Sequence, residues 1–299
     1  MPANKQPAGK DRLRVRKTYK LYVNGAFVRS ERGRYLKQMD ANGDFVANYS
    51  WASRKDFRDA VVAARKAYAG WSKRSAFNRS QILYRAAEML EDRRDVFEKH
   101  LTELVAFKPH EARKEVDAAV DRFMYYAGWA DKYGQILSSV NPIGAPYFNF
   151  SMPEPTGVVT VLASRKSPLV GIVSAIAPVI LSGNTVIVVV ENEAPTLSID
   201  LAEVLATSDL PAGTVNILTG RRAEILPFAA EHMDVNAIAS FGSDVDERRA
   251  IQEMAADNVK RVHFEEDPPP KDWRGGDMES LYRILPFIEI KTAWHPIGV

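Results

Sequence analysis

The chain has 299 residues, 46% hydrophobic and 26% charged, enough to bury a substantial core as one large domain or two smaller ones. Its net charge of +2 is near neutral for that size, so nothing draws the whole molecule to nucleic acid or an anionic membrane. It has no cysteine, which excludes disulfides and thiolate zinc sites and fits a cytoplasmic protein. The longest apolar run, around 186–190, is far too short to span a bilayer.

Basic charge collects at the start, where Lys5, Lys10, Arg12, Arg14, Arg16, Lys17 and Lys20 face Asp11 alone. No apolar core follows, as a secretory signal would need, so residues 1–18 read as a disordered basic tail. From Tyr19, the alternation of Tyr19, Leu21 and Val23 with polar neighbours predicts a strand, and Asn24-Gly25 predicts a hairpin turn. Ser53 and Asp56 form a capping-box pattern. Phe57, Val61, Ala64, Tyr68 and Trp71 then give a helix one apolar face. Ile82, Leu83, Ala86, Ala87 and Leu90 make a second stripe, which Phe97, Leu101 and Leu104 extend. Lys108-Pro109 interrupts it before helix resumes over 112–132. The first 130 residues therefore read as a hairpin followed by helices.

The next stretch changes period. Residues 157–163 (GVVTVLA) and 185–190 (TVIVVV) are continuous valine-rich runs, suited to strands covered on both faces. Helices are expected at 168–181, from Pro195, at 223–231 and at 244–257, with strands at 214–218, 236–241 and 260–264. Such alternation predicts an α/β fold with a doubly wound parallel sheet. Ligands of such sheets bind beyond the carboxyl ends of the strands, here the turns after Ala163, Val190, Leu218 and Phe241. Residues 266–277 (EDPPPKDWRGGD) read as an irregular loop, and 282–294 as one more strand with Pro286 near its start.

Segments 59–68 (DAVVAARKAY), 125–132 (YYAGWADK), 182–186 (SGNTV) and 210–220 (LPAGTVNILTG) resemble successive landmarks of the aldehyde dehydrogenase superfamily, in order and near its spacing. Segment 259–265 (VKRVHFE) resembles the one carrying the family's general base, and 287–294 (FIEIKTAW) its C-terminal strand. The resemblance implies a Rossmann-like NAD-binding α/β domain over 19–133 and 157–268, and a β oligomerisation element over 134–156 and 284–299. Between Glu265 and Phe287 only a short segment, 266–283, stands in place of the family's catalytic domain. The nucleophilic cysteine belongs to that domain, so the arrangement resembles the truncated second module of two-module (family sixteen) aldehyde dehydrogenases.

The resemblance places Glu265 at the general base, reduced to a vestigial position at the edge of a solvated acidic cluster with Glu266 and Asp267. Lys166 replaces the oxyanion-holding asparagine, and Val189 replaces the lysine that bonds the adenosine ribose. Asn192 stands for the ribose glutamate, with Glu191 or Glu193 as substitutes. Gly242 and Ser243, in the turn Ser240-Phe241-Gly242-Ser243, and Gly220 remain as cofactor-binding candidates. Asp244, Asp246 and Glu247 crowd the same helix start and compete with a phosphate. Arg221 and Arg222, in place of small residues, read as surface caps. No cofactor is expected, and NAD only at weak affinity.

The five histidines show no ligand spacing, and no serine sits in a Gly-x-Ser-x-Gly elbow, so neither a metal site nor a hydrolase triad is expected. These features together predict a non-catalytic assembly or regulatory subunit. Its partner would be a second copy of itself or an active aldehyde dehydrogenase. The alternative is a subunit lending a cofactor half-site to a partner that carries the cysteine.

Overall fold

The computed structural model describes residues 15–297, so residues 1–14 of the tail expected over 1–18 lie outside the described residues. Arg16 packs over the Phe45 ring at 4.7 Å, and Lys17 Nζ lies 2.7 Å from Glu203. The end of the segment assigned to a loose tail is therefore anchored. β1 (Thr18–Tyr19) follows, then β2 (Leu21–Val23) and β3 (Ala26–Val28), joined by the Asn24-Gly25 turn. β4 (Tyr35–Met39) and β5 (Phe45–Ser50) pair antiparallel, with β1 parallel to β5. This sheet corrects the expectation of a hairpin followed only by helices. Its buried positions include the polar Gln38, which blurs the period-two signal.

α1 (Arg54–Ser72) starts at the predicted capping box, where Ser53 and Asp56 satisfy each other's backbone amides. α2 (Ala76–Asp92) and α3 (Arg94–Val105) follow, then α4 (Pro109–Trp129), which Pro109 opens at a position needing no amide. α5 (Tyr133–Leu137), β6 (Ser139–Val140) and β7 (Tyr147–Pro155) lead out to a second small sheet.

The central unit is β8 (Val158–Leu162), α6 (Val170–Leu181), β9 (Thr185–Val190), α7 (Pro195–Ala206), β10 (Val215–Thr219), α8 (Arg222–Glu231), β11 (Ala237–Phe241), α9 (Val245–Ala256) and β12 (Arg261–Glu265). The predicted alternation is observed. Strand order is β12-β11-β8-β9-β10-β2-β3, parallel from β12 to β10, with β2 and β3 closing one side antiparallel. Because strand side chains alternate between faces, the sheet divides the core in two. Val159, Val161, Val186, Val188 and Ile217 face α2, α4, α6 and α7, while Val158, Leu162, Ile187, Val189 and Leu218 face α1, α8 and α9.

The segment after β12 is more ordered than an irregular loop. It holds α10 (Pro270–Trp273) and short 3-10 turns at Gly276–Met278 and Leu281–Phe287. The expected strand over 282–294 is displaced, because Pro286 sits inside the second 3-10 turn. β13 (Ile288–Pro296) begins only after it and pairs antiparallel with β7 along all nine residues.

Candidate functional site at the ends of the central strands

The chain runs outward from β8 to β9 and β10, then returns to place β11 on the other side of β8. That reversal opens a crevice beyond the carboxyl ends of β8 and β11, where ligands of doubly wound sheets bind. The turns holding Lys166 and Gly242-Ser243 both lie there.

The first turn is tied to residues from beyond β12. Asp267 accepts a hydrogen bond from Ser164 Oγ at 2.5 Å and from the Arg165 amide at 2.9 Å. Lys166 Nζ donates to the Asp267 carbonyl at 2.6 Å. The Trp273 indole N–H also donates to the Asp267 carboxylate, at 3.0 Å. Asp267 is buried, which corrects the expectation of a solvated acidic cluster. Only Glu266 of the three fits it, at 87% side-chain exposure. Glu265 is enclosed as well: Arg283 forms an ion pair with it, and His263 Nε2 lies 3.1 Å away. Burial lowers the pKa of His263, and the Arg283 cation pushes it the same way.

Arg222 dominates the second turn. It is 1% exposed rather than a surface cap, and its guanidinium lies beneath Ser240-Phe241-Gly242-Ser243. It donates to the Phe241 carbonyl at 2.8 Å, to Ser243 Oγ at 2.7 Å and to Ser240 Oγ, and its Nε lies 2.7 Å from a Glu247 oxygen. Burial lowers the Arg222 pKa, and the Glu247 carboxylate opposes that shift. A buried cation is tolerable only with such a partner. Asp244 caps α9 by accepting from the Glu247 amide.

The glycines have structural duties. A Cβ on Gly242 would lie 2.7 Å from Asp267 Cβ, and its φ of +64° is left-handed. A Cβ on Gly220 would meet Trp51 at 3.0 Å and the Ala52 amide at 3.2 Å, so this glycine lets β10 end against the entry to α1. Val189 is buried among apolar neighbours and offers no donor. Asn192 turns its side chain to the Ala194 amide, while Glu191 accepts from the Arg222 amide at 3.0 Å. Lys166, Gly242, Ser243 and Glu265 thus gather round one crevice, whereas Gly220, Val189 and Asn192 belong to the β9–β10 side.

Asp267 and Arg222, read from the sequence as a solvated acid and a surface cap, are both buried. The signal for Arg222 was present: it stands in place of a small residue, and the opposite charge of Glu247, at the crowded helix start, is its partner. Among the described residues there is no cluster of three or more groups suited to a metal.

A doubly wound sheet with glycine turns at its reversal defines a Rossmann-like protein. The aldehyde dehydrogenase family profile matches residues 27–267, and the chain belongs to that family. D-glyceraldehyde dehydrogenase (NADP(+)) of Thermoplasma acidophilum is 29% identical over 269 residues, 89% of this chain and 54% of that protein. 2-Hydroxymuconic semialdehyde dehydrogenase of Pseudomonas sp. CF600 is 32% identical, over 83% of this chain and 52% of its own length. The NAD+ complex of a Bacillus cereus aldehyde dehydrogenase superposes with a TM-score of 0.79 at 26% identity, covering 84% of this chain and 51% of the other. An NAD-dependent aldehyde dehydrogenase from Sinorhizobium meliloti gives 0.78 at 28% identity, over 87% and 52%. The chain spans about half the length of the relatives it matches.

Proposed function

We propose that this chain is a non-catalytic member of the aldehyde dehydrogenase family, acting as an assembly or regulatory subunit through its β6–β7–β13 sheet. Without a cysteine the chain has no thiolate to attack an aldehyde, and no other side chain readily replaces one. Glu265, at the base position, is held in an ion pair with Arg283 instead of facing an open cleft.

The observation that carries the assembly role is β13. Among the described residues it pairs with β7 alone, leaving its other edge open along nine residues. Ile290 is 55% and Trp294 60% exposed. Tyr147 packs edge-on against Trp294, with ring centroids 6.0 Å apart, on the same face. An open edge that carries exposed Ile290 and Trp294 invites strand pairing with another chain. The partner is a second copy or an active aldehyde dehydrogenase.

Light scattering after size exclusion, run alone and with an active relative, tests this. A complex should form in one of the two runs, and Ile290→Lys combined with Trp294→Lys should dissolve it while leaving the far-UV spectrum unchanged. A chain that stays monomeric in both runs overturns the assembly role.

A further inference from the structure

We infer that residues 266–283 are a fitted closure of the crevice, which with Arg222 excludes dinucleotides from this chain. The inference is independent of the assembly role and concerns the fold of a single chain. A bound pyrophosphate needs free donors and free space at the strand ends, and the side-chain donors of both turns and the space above Gly242 are already engaged.

At the first turn, the Asp267 carboxylate already takes the hydrogen bonds of Ser164 Oγ and the Arg165 amide. It is a negative group presented to those donors by the chain itself. At the second turn, Ser240 and Ser243 are bonded to Arg222 and to each other, and the Gly242 amide donates to the Glu265 carbonyl at 2.9 Å. The cation beneath the second turn, Arg222, is neutralised by Glu247 at 2.7 Å, and Lys166 is engaged by the Asp267 carbonyl. The space above Gly242 is filled by the Asp267 side chain. A ligand would have to break these bonds and leave buried polar groups without partners, which is costly.

The closure is anchored along its length. Trp273 is fully buried against Phe241, with ring centroids 5.4 Å apart. Arg122, itself 1% exposed, donates to the Trp273 carbonyl at 3.2 Å and to Ser174 Oγ at 2.6 Å, and approaches Glu279 at 3.5 Å. Arg274 reaches the fully buried Glu115 at 3.4 Å, and Glu115 also accepts from Ser167 Oγ at 3.0 Å. Tyr126 donates to the Ser280 carbonyl, and Arg283 pairs with Glu265. Four side chains of the α4 and β12 elements thus bind a segment whose own sequence is irregular.

Hydrogen exchange on the intact chain is the first test. Amides of the 3-10 turns and the Trp273 indole N–H should exchange on the timescale of β8 and β11, and rapid exchange there overturns the inference. The second is titration with NADH and with NADPH to millimolar concentration, followed by cofactor fluorescence and melting temperature. Neither should give a saturable change. Saturable binding of either removes the exclusion and leaves the assembly role standing. Asp267→Ala should lower the melting temperature and speed exchange in 266–283 more than in α1; equal exchange in both segments would show that Asp267 does not seat the closure.

Discussion

Gly242 and Ser243 are the residues where resemblance and physical surroundings part. By pattern they belong to a phosphate turn, yet Gly242 makes room for Asp267 and Ser243 holds Arg222. Gly242→Ala should therefore cost stability with no ligand present, by about 1–3 kcal/mol for a strained left-handed residue, plus the displacement of Asp267. Urea denaturation measures it, and an unchanged midpoint would show the glycine to be idle. Lys260 offers a pH test. Its ammonium is buried against the Ala229 and His232 carbonyls, and desolvation brings its pKa from 10.5 down to about 8. Between those values the unfolded chain keeps a proton that the folded chain has released, so this group makes stability rise with pH. The stability of the wild type relative to Lys260→Met should increase from pH 7.5 to pH 9.5 in urea titrations. A constant difference contradicts the shift. Neither residue's surroundings were legible in the sequence, because the partners lie on other elements.

The elements themselves were mostly legible. Runs such as TVIVVV and the capping box at Ser53 announce their structures because local composition and burial agree there. β4 and β5 escaped because Gln38 is buried in satisfied polar contacts, bonding the Glu193 carbonyl and Thr196. The segment after β12 escaped for a different reason: it is held by single large side chains, which leave no periodic trace. Trp273 is the chief of these. Trp273→Ala should destabilise the chain by about 3–5 kcal/mol, the usual range for emptying a large buried aromatic site. Trp273→Phe should recover much of the packing but not the bond to Asp267. Chemical denaturation of the two variants orders them, and an alanine variant as stable as the wild type would mean the indole is not part of the core.

Over the whole molecule, residues 15–297 form a two-sided core round one sheet, and no described helix is long and apolar enough to cross a membrane. The family was legible from the order of its landmarks, and the family match to 27–267 ends where the closure begins. What the sequence could not convey was that this short segment seats itself on the sheet through buried charges. Incubation of the chain with an aldehyde and NAD+ or NADP+ should yield no absorbance of reduced cofactor. In a mixture with an active relative, a gain in reduced cofactor over the relative alone, abolished by Glu265→Gln, would restore the half-site alternative.

The partner strands β7 and β13 are 9 residues each and far apart in the chain. On a ribosome, β7 emerges long before β13 exists, so its aromatic residues Tyr147, Phe148 and Phe150 wait without their neighbour throughout synthesis of the central sheet. Pairings this distant close late, and unpaired edges invite misassembly meanwhile. The stretch to which the proposed assembly role is assigned is thus also one that stays unpaired while the protein is being made.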